Sequence, residues 1–255
     1  MEDMNQKLST AHTIAKNYKP DTEVIGIQKE KILHKTLKYF LEPSSDFHEI
    51  KVSKNTKGVL YADILKDNHI YEIQTRGFNN LRSKLDVFLK TYQVTIVHPI
   101  AYIKHIYKIS ETGEIEGPKK SPKKGSAFLV FHELYKIKQY LNDPNLSIKI
   151  LLLNMDEYRH IVPKKHYKSS GSIKEVQIPT EYVKEINLSS KTDYINLLDT
   201  LNLPIEFTSS MFAKATKLTL PKATTALNVL NHLEAVIRIG KDGRKYLYRI
   251  NKWQF

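Results

Sequence analysis

Apolar residues recur at intervals of three and four between Gln28 and Leu41, where Leu33, Leu37, Phe40 and Leu41 fall on one face. That spacing predicts an amphipathic helix, and Pro43 ends it. The 22 residues at the N-terminus are polar and close on Lys19-Pro20-Asp21, which reads as an arm or short helix. After Pro43 the pattern shortens. His48–Val52, Val59–Leu65 and Ile70–Thr75 are β-branched and aromatic runs separated by Asn55-Thr56-Lys57-Gly58 and Lys66-Asp67-Asn68, so three consecutive strands are expected. A second amphipathic helix follows over about residues 79–92, with Leu81, Leu85, Phe88, Leu89 and Tyr92 on one side. Val94–Val97 reads as a buried strand and Ala101–Ile109 as another that pairs with it. A loop over 111–125, a helix over about 128–141 and a strand over 148–153 complete this part. Helix, strands, helix and strand in that order give an α/β or α+β class, not all-α.

Residues 163–179 carry four lysines and Ser169-Ser170-Gly171-Ser172, a composition that predicts a flexible connection. Beyond Asp193 short helical patterns crowd together. Tyr194, Ile195, Leu197, Leu198 and Leu201 mark one helix, and Thr208-Ser209-Ser210 can cap a second through Met211, Phe212 and Ala215. Thr219 can cap a third, with Pro221 in its first turn and Ala226, Leu227, Leu230 and Leu233 as its buried stripe. Ala235–Ile239, the turn Gly240-Lys241-Asp242-Gly243 and Tyr246–Ile250 then read as a hairpin. The division expected is an arm over 1–22, a domain over 23–160 with a basic loop at 117–125, a connector over 161–190 and a second domain over 191–255.

Composition sharpens this picture through charge. The 255 residues are ordinary in hydrophobic and charged content, but 40 Lys and Arg against 27 Asp and Glu leave +13. A polyanionic partner is therefore expected. Pro204–Phe255 alone holds nine Lys or Arg against Glu206, Glu234 and Asp242. Lys119, Lys120, Lys123 and Lys124 concentrate charge in the loop, either as a solvated surface or as phosphate contacts. The absence of cysteine excludes disulfides, thiolate zinc sites and a cysteine nucleophile. No apolar run approaches a spanning helix and the start Met-Glu-Asp-Met-Asn lacks a leader pattern, so a cytoplasmic protein with no membrane partner is expected. No Gly-rich phosphate loop opens a helix, which leaves nucleotide cofactors without support. His98, His105 and His132 lack zinc spacing, and Tyr102, Tyr107 and Tyr135 read first as framework residues.

Three acids then stand out. Asp63 is embedded in the apolar strand Val59-Leu60-Tyr61-Ala62-Asp63-Ile64, and Glu72 follows in Tyr71-Glu72-Ile73-Gln74-Thr75. Side chains alternate along a strand, so Glu72 and Gln74 share a face, and a turn at Lys66–His69 sets Asp63 beside Glu72. Two carboxylates held close repel unless a cation lies between them. Glu30 stands three residues before Leu33 and seven before Leu37, on the inward face of its helix, where a charge wants a partner. Arg76 has the same parity as Gln74, and Lys84 on the next helix is the weaker source of positive charge. The bland alternative is a solvated strand edge with Glu30 in a marginal salt bridge.

A helix acid, a strand Asp, then Glu-x-Gln on the next strand resembles the PD-(D/E)xK nuclease superfamily over roughly residues 23–109. The resemblance implies a restriction-endonuclease-like mixed sheet flanked by helices. It also implies Mg²⁺ or Mn²⁺ held by Asp63, Glu72 and Glu30, with Gln74 at the usual Lys position and Arg76 nearby. Ala62 stands where the motif's Pro would be. The three helices and hairpin at the C-terminus resemble the winged-helix family. That resemblance implies that Thr224, Thr225, Asn228 and His232 face the major groove while Lys241, Arg244 and Lys245 reach the backbone, with Lys222 as a further DNA-binding residue. Together they imply a cytoplasmic, metal-dependent endonuclease acting on double-stranded DNA, restriction-like or defence-related, with a homodimer as an option. The alternative is a DNA-binding regulator with a degenerate core, and a more distant one is an RNA-binding factor.

Overall fold

The computed structural model describes residues 2–17, 28–55, 58–162 and 171–252, and only the backbone of 28–31, 54 and 55. It is a mixed α/β protein. Helices α1 (Glu2–Asn17) and α2 (Gln28–Leu41) precede strands β1 (His48–Asn55), β2 (Gly58–Lys66) and β3 (His69–Ile73). Helix α3 (Arg82–Phe88), strands β4 (Gln93–Ile109) and β5 (Ile115–Lys120), helix α4 (Phe131–Leu134) and strands β6 (Leu146–Val162) and β7 (Gly171–Leu188) follow. The chain ends with α5 (Lys191–Asp199), β8 (Phe207–Thr208), α6 (Ser209–Thr216), α7 (Leu220–His232), β9 (Val236–Asp242) and β10 (Lys245–Ile250). Among the described residues, one sheet of seven strands runs β1-β2-β3-β4-β6-β7 with β5 on β4, and a second of three runs β8-β10-β9. The larger sheet is mixed: β2 and β3 are antiparallel, β3 and β4 parallel.

Two compact units interleave along the chain. One takes residues 1–50, 99–125 and 151–184; the other takes 51–98, 126–150 and 185–255. In the first, Leu8, Ala11 and Ala15 recur at helical spacing and are buried, which seats α1 along α2. Leu33, Thr36, Leu37 and Phe40 form the inward face of α2, with Phe40 against Tyr182 at 6.0 Å between ring centroids. Residues 2–17 of the polar N-terminus are thus a helix of 16 residues, and the rest of the expected arm, Lys19-Pro20-Asp21 included, lies outside the described residues.

In the second unit, Phe78, Leu81, Leu85 and Phe88 are all buried and hold α3 with the 3-10 turn before it. Phe128 meets Phe212 edge-on at 5.8 Å, and Phe131 lies 6.2 Å from Tyr194, so segment 127–141 and the C-terminal helices share a core. Ser190 and Asp193 form a capping box on α5.

Several expected boundaries differ. β4 is one strand of 17 residues passing through Pro99, because proline removes one donor without forcing a turn. The helix over 79–92 shortens to a 3-10 turn and seven α-helical residues. The one over 128–141 breaks into short pieces, with Ile137 non-helical. Lys119 and Lys120 lie in β5, not in a loop. Much of the expected connector is β7, whose buried and exposed positions do not alternate and so give no strand signal. Residues 163–170 lie outside the described residues.

Candidate active site

The β2–β3 hairpin builds the site. Its two-residue turn, Asp67-Asn68, has φ of 49° and 63°, the left-handed pair that matches the twist of adjoining strands. The register Ile64↔Tyr71, Leu65↔Ile70 and Lys66↔His69 follows, and it brings Asp63 and Glu72 together. The Asp63 backbone N–H donates to Glu72 Oε1 at 3.3 Å, and the Ile73 N–H donates to Asp63 Oδ2 at 2.7 Å. Both acids are buried, Glu72 with only 2% of its surface exposed.

The cation beside them comes from α3. Lys84 Nζ donates to Glu72 Oε1 at 3.0 Å and Oε2 at 2.8 Å. Burial and the adjacent Asp63 charge nonetheless push the Glu72 carboxyl up to about 8, with Lys84 pulling the other way. Glu72 therefore keeps its proton at neutral pH. Lys84 stands three residues after Leu81 and four before Phe88, so the spacing that flagged Glu30 also marks Lys84 as inward-facing.

Gln74 is fixed from three directions. Its N–H donates to the Val97 carbonyl at 2.9 Å, its own carbonyl lies 2.6 Å from His98 Nδ1, and its Nε2 donates to the Arg76 carbonyl at 2.5 Å. Burial holds His98 below the usual imidazole range, so the neutral ring donates from Nδ1 to that carbonyl. Phe78 packs on the His98 ring edge-on at 5.2 Å. Gly77, with φ of 71°, supplies the left-handed residue that starts the 3-10 turn carrying Phe78. The role of His98 was missed in sequence because its partner is a backbone carbonyl 24 residues away.

Arg76 is placed differently from the strand-parity argument. β3 ends at Ile73, and Arg76 sits exposed in the bend that follows, so alternation no longer governs its direction. Glu30 lies in α2, but its side chain lies outside the described residues. Among the described residues no group of three or more His, Asp or Glu has an arrangement that holds a metal ion; Asp63 and Glu72 form a pair.

Residues 31–189 match a family described as "Domain of unknown function (DUF8091)". The chain belongs to that family. An uncharacterized protein of Treponema pallidum (strain Nichols) is 29% identical over 132 residues, 52% of this chain and 51% of that protein. The chain therefore spans about half the length of this curated relative, and no solved structure matches it. The DUF8091 segment contains Asp63, Glu72, Gln74, Lys84 and His98, and it stops just short of α5.

The basic residues outside the pair fall into separate groups. Lys119, Lys120, Lys123 and Lys124 are exposed, with Lys124 Nζ 4.1 Å from the centroid of the Tyr102 ring. On α7, Lys222 and Thr224 are exposed, while Thr225, Asn228 and His232 are half-buried. Lys241, Arg244 and Lys245 are exposed around the β9–β10 turn. No described helix is long and apolar enough to cross a membrane.

Proposed function

We propose that this DUF8091 protein is a metal-dependent DNA endonuclease with a PD-(D/E)xK-like core and a winged-helix module over α5–β10. One observation carries the reading: a β-hairpin sets two buried carboxylates side by side, one of them pushed up to about 8, with an ammonium against it and a polar amide two residues on. A buried acid with a raised pKa and specific charged neighbours is a candidate functional group.

The donors suit a hard divalent cation. Carboxylate oxygens favour Mg²⁺ or Mn²⁺, and such an ion would take the place of the proton that burial and the adjacent Asp63 keep on Glu72. Mg²⁺ held by this pair would lower the pKa of a water and neutralise charge developing on a phosphate oxygen. The chain's own residues do the rest. Ile73 N–H holds Asp63 in orientation, and Lys84 offers a positive charge beside the phosphate once Glu72 is otherwise neutralised. The Nε2 bond from Gln74 to the Arg76 carbonyl leaves its Oε1 as the acceptor that orients a water proton. Neutral His98 locks the backbone that carries Gln74.

The second reading is a DNA-binding regulator with a degenerate core, favoured by the bidentate grip of Lys84 on Glu72, which gives that carboxyl a partner without a metal. Incubating the purified chain with supercoiled plasmid and linear duplex in Mg²⁺, Mn²⁺ or EDTA separates the two. The nuclease reading expects cutting with either metal and none in EDTA; binding without cutting under all three conditions supports the regulator.

A further inference from the structure

We infer that the C-terminal module meets duplex DNA with its β9–β10 hairpin and not with helix α7. The inference takes duplex DNA as partner from the nuclease reading, but it needs no catalysis.

A helix that reads a major groove must present one side of itself to solvent. From Thr225 to His232, no residue of α7 is exposed. Ala226, Leu227, Val229 and Leu230 are buried, and α7 lies against α4 and the 3-10 turn Tyr135–Tyr140. Asn228, the residue best suited to read adenine, instead accepts a hydrogen bond from Lys138 Nζ at 3.1 Å. The hydroxyls of Thr224 and Thr225 donate back to the carbonyls of Leu220 and Pro221, both at 3.0 Å. Only the first turn of α7, with Lys222 and Thr224, remains open.

The hairpin has the opposite character. Arg238, Lys241, Arg244, Lys245 and Tyr246 are all exposed, with Asp242 as the one acid among them. The Arg238 guanidinium lies 4.5 Å from the Tyr246 ring centroid and Lys241 Nζ 5.4 Å from it, so an exposed aromatic carries two cations at its face. Such a surface is complementary to a sugar-phosphate backbone: the cations meet phosphates and the ring packs on a sugar.

Fluorescence anisotropy of the full chain with a labelled duplex of about 25 base pairs, in EDTA across a salt series, tests this. Arg244→Ala with Lys245→Ala should weaken binding at least about tenfold and flatten the log–log salt slope by roughly two, near 0.9 per lost phosphate contact. Tyr246→Ala should weaken it several-fold, and Asn228→Ala should leave it within about twofold. Equal circular-dichroism melts check that the exposed substitutions leave the fold intact. Unchanged binding in the hairpin variants, a tenfold loss in Asn228→Ala, binding of duplex RNA alone, or no duplex binding would each overturn the inference. Hairpin-dependent binding by a chain that never cuts would uphold it while removing the nuclease reading. Normal cutting with hairpin-independent binding would do the reverse.

Discussion

Glu72 on β3 and Glu157 on β6 are both strand glutamates, with 2% and 1% of their surface exposed, yet their surroundings differ. Glu157 accepts from Lys104 at 3.0 Å, from Arg159 and from Gln177 at 2.6 Å. Burial pushes its carboxyl up, but the two cations outweigh that and hold it below the ordinary range. Glu72 has one lysine and a second acid beside it, and stays at about 8. The same local signal, an acid inside an apolar strand, therefore ends in a charged carboxylate held by two cations in one place and in a carboxyl that keeps its proton beside a second acid in the other. Burial raises both carboxyls, and the number of cations that oppose it is what separates a structural glutamate from a candidate ligand.

The sharpest way to break this contrast is to neutralise each site. Asp63→Asn should lower metal-dependent cleavage by at least about a hundredfold with DNA affinity nearly unchanged. Glu157→Gln should keep the cleavage rate and cost about 1–3 kcal/mol in stability by leaving Lys104 and Arg159 short of a partner. Equal effects of the two on cleavage would erase the distinction. Lys84→Ala comes next, with a cleavage loss on the order of a hundredfold, because it removes the positive charge at the carboxylate pair. An active Lys84→Ala variant would move that charge elsewhere.

The two glutamates should also give stability opposite slopes with pH. The folded state holds a proton on Glu72 more tightly than the unfolded chain, so stability falls as pH rises from about 4.5 to about 8. For Glu157 the folded carboxyl is depressed, so its contribution is present above the ordinary carboxylate range and lost as pH falls through it. Glu72→Gln should accordingly raise the melting temperature at pH 8 and leave it nearly unchanged at pH 5, whereas Glu157→Gln should lower it at pH 7. Parallel melting profiles would contradict the assignment. The smallest effect expected is for Gln74→Lys: an ammonium two residues from Glu72 would compete with a metal held by Asp63 and Glu72, and should reduce cleavage by roughly tenfold. A gain in cleavage would instead mark Gln74 as a defect.

Much of this site can be read from residues alone. The Asp67-Asn68 turn and the period-two runs on either side fix the hairpin, and with it the meeting of Asp63 and Glu72. The stripe of Leu33, Leu37 and Phe40 on α2 is equally plain. Less readable are features set by distant partners. Lys84 and His98 gain their meaning from Glu72 and the Gln74 carbonyl, contacts that exist only after β3 lies parallel to β4. Burial of α7 behind α4 is likewise tertiary, so its polar positions looked free when Asn228 is in fact held by Lys138. β7 gives no strand signal in the sequence because its buried and exposed positions, Tyr182 and Leu188 among the buried ones, do not alternate.

The account rests on Asp63 and Glu72 forming a cation site, and direct titration tests it. Mn²⁺ binding to the full chain, followed by electron paramagnetic resonance at pH 8, should show one site that Asp63→Asn removes and Glu157→Gln leaves in place. Absence of Mn²⁺ binding by the wild type, or equal binding by Asp63→Asn, would contradict it.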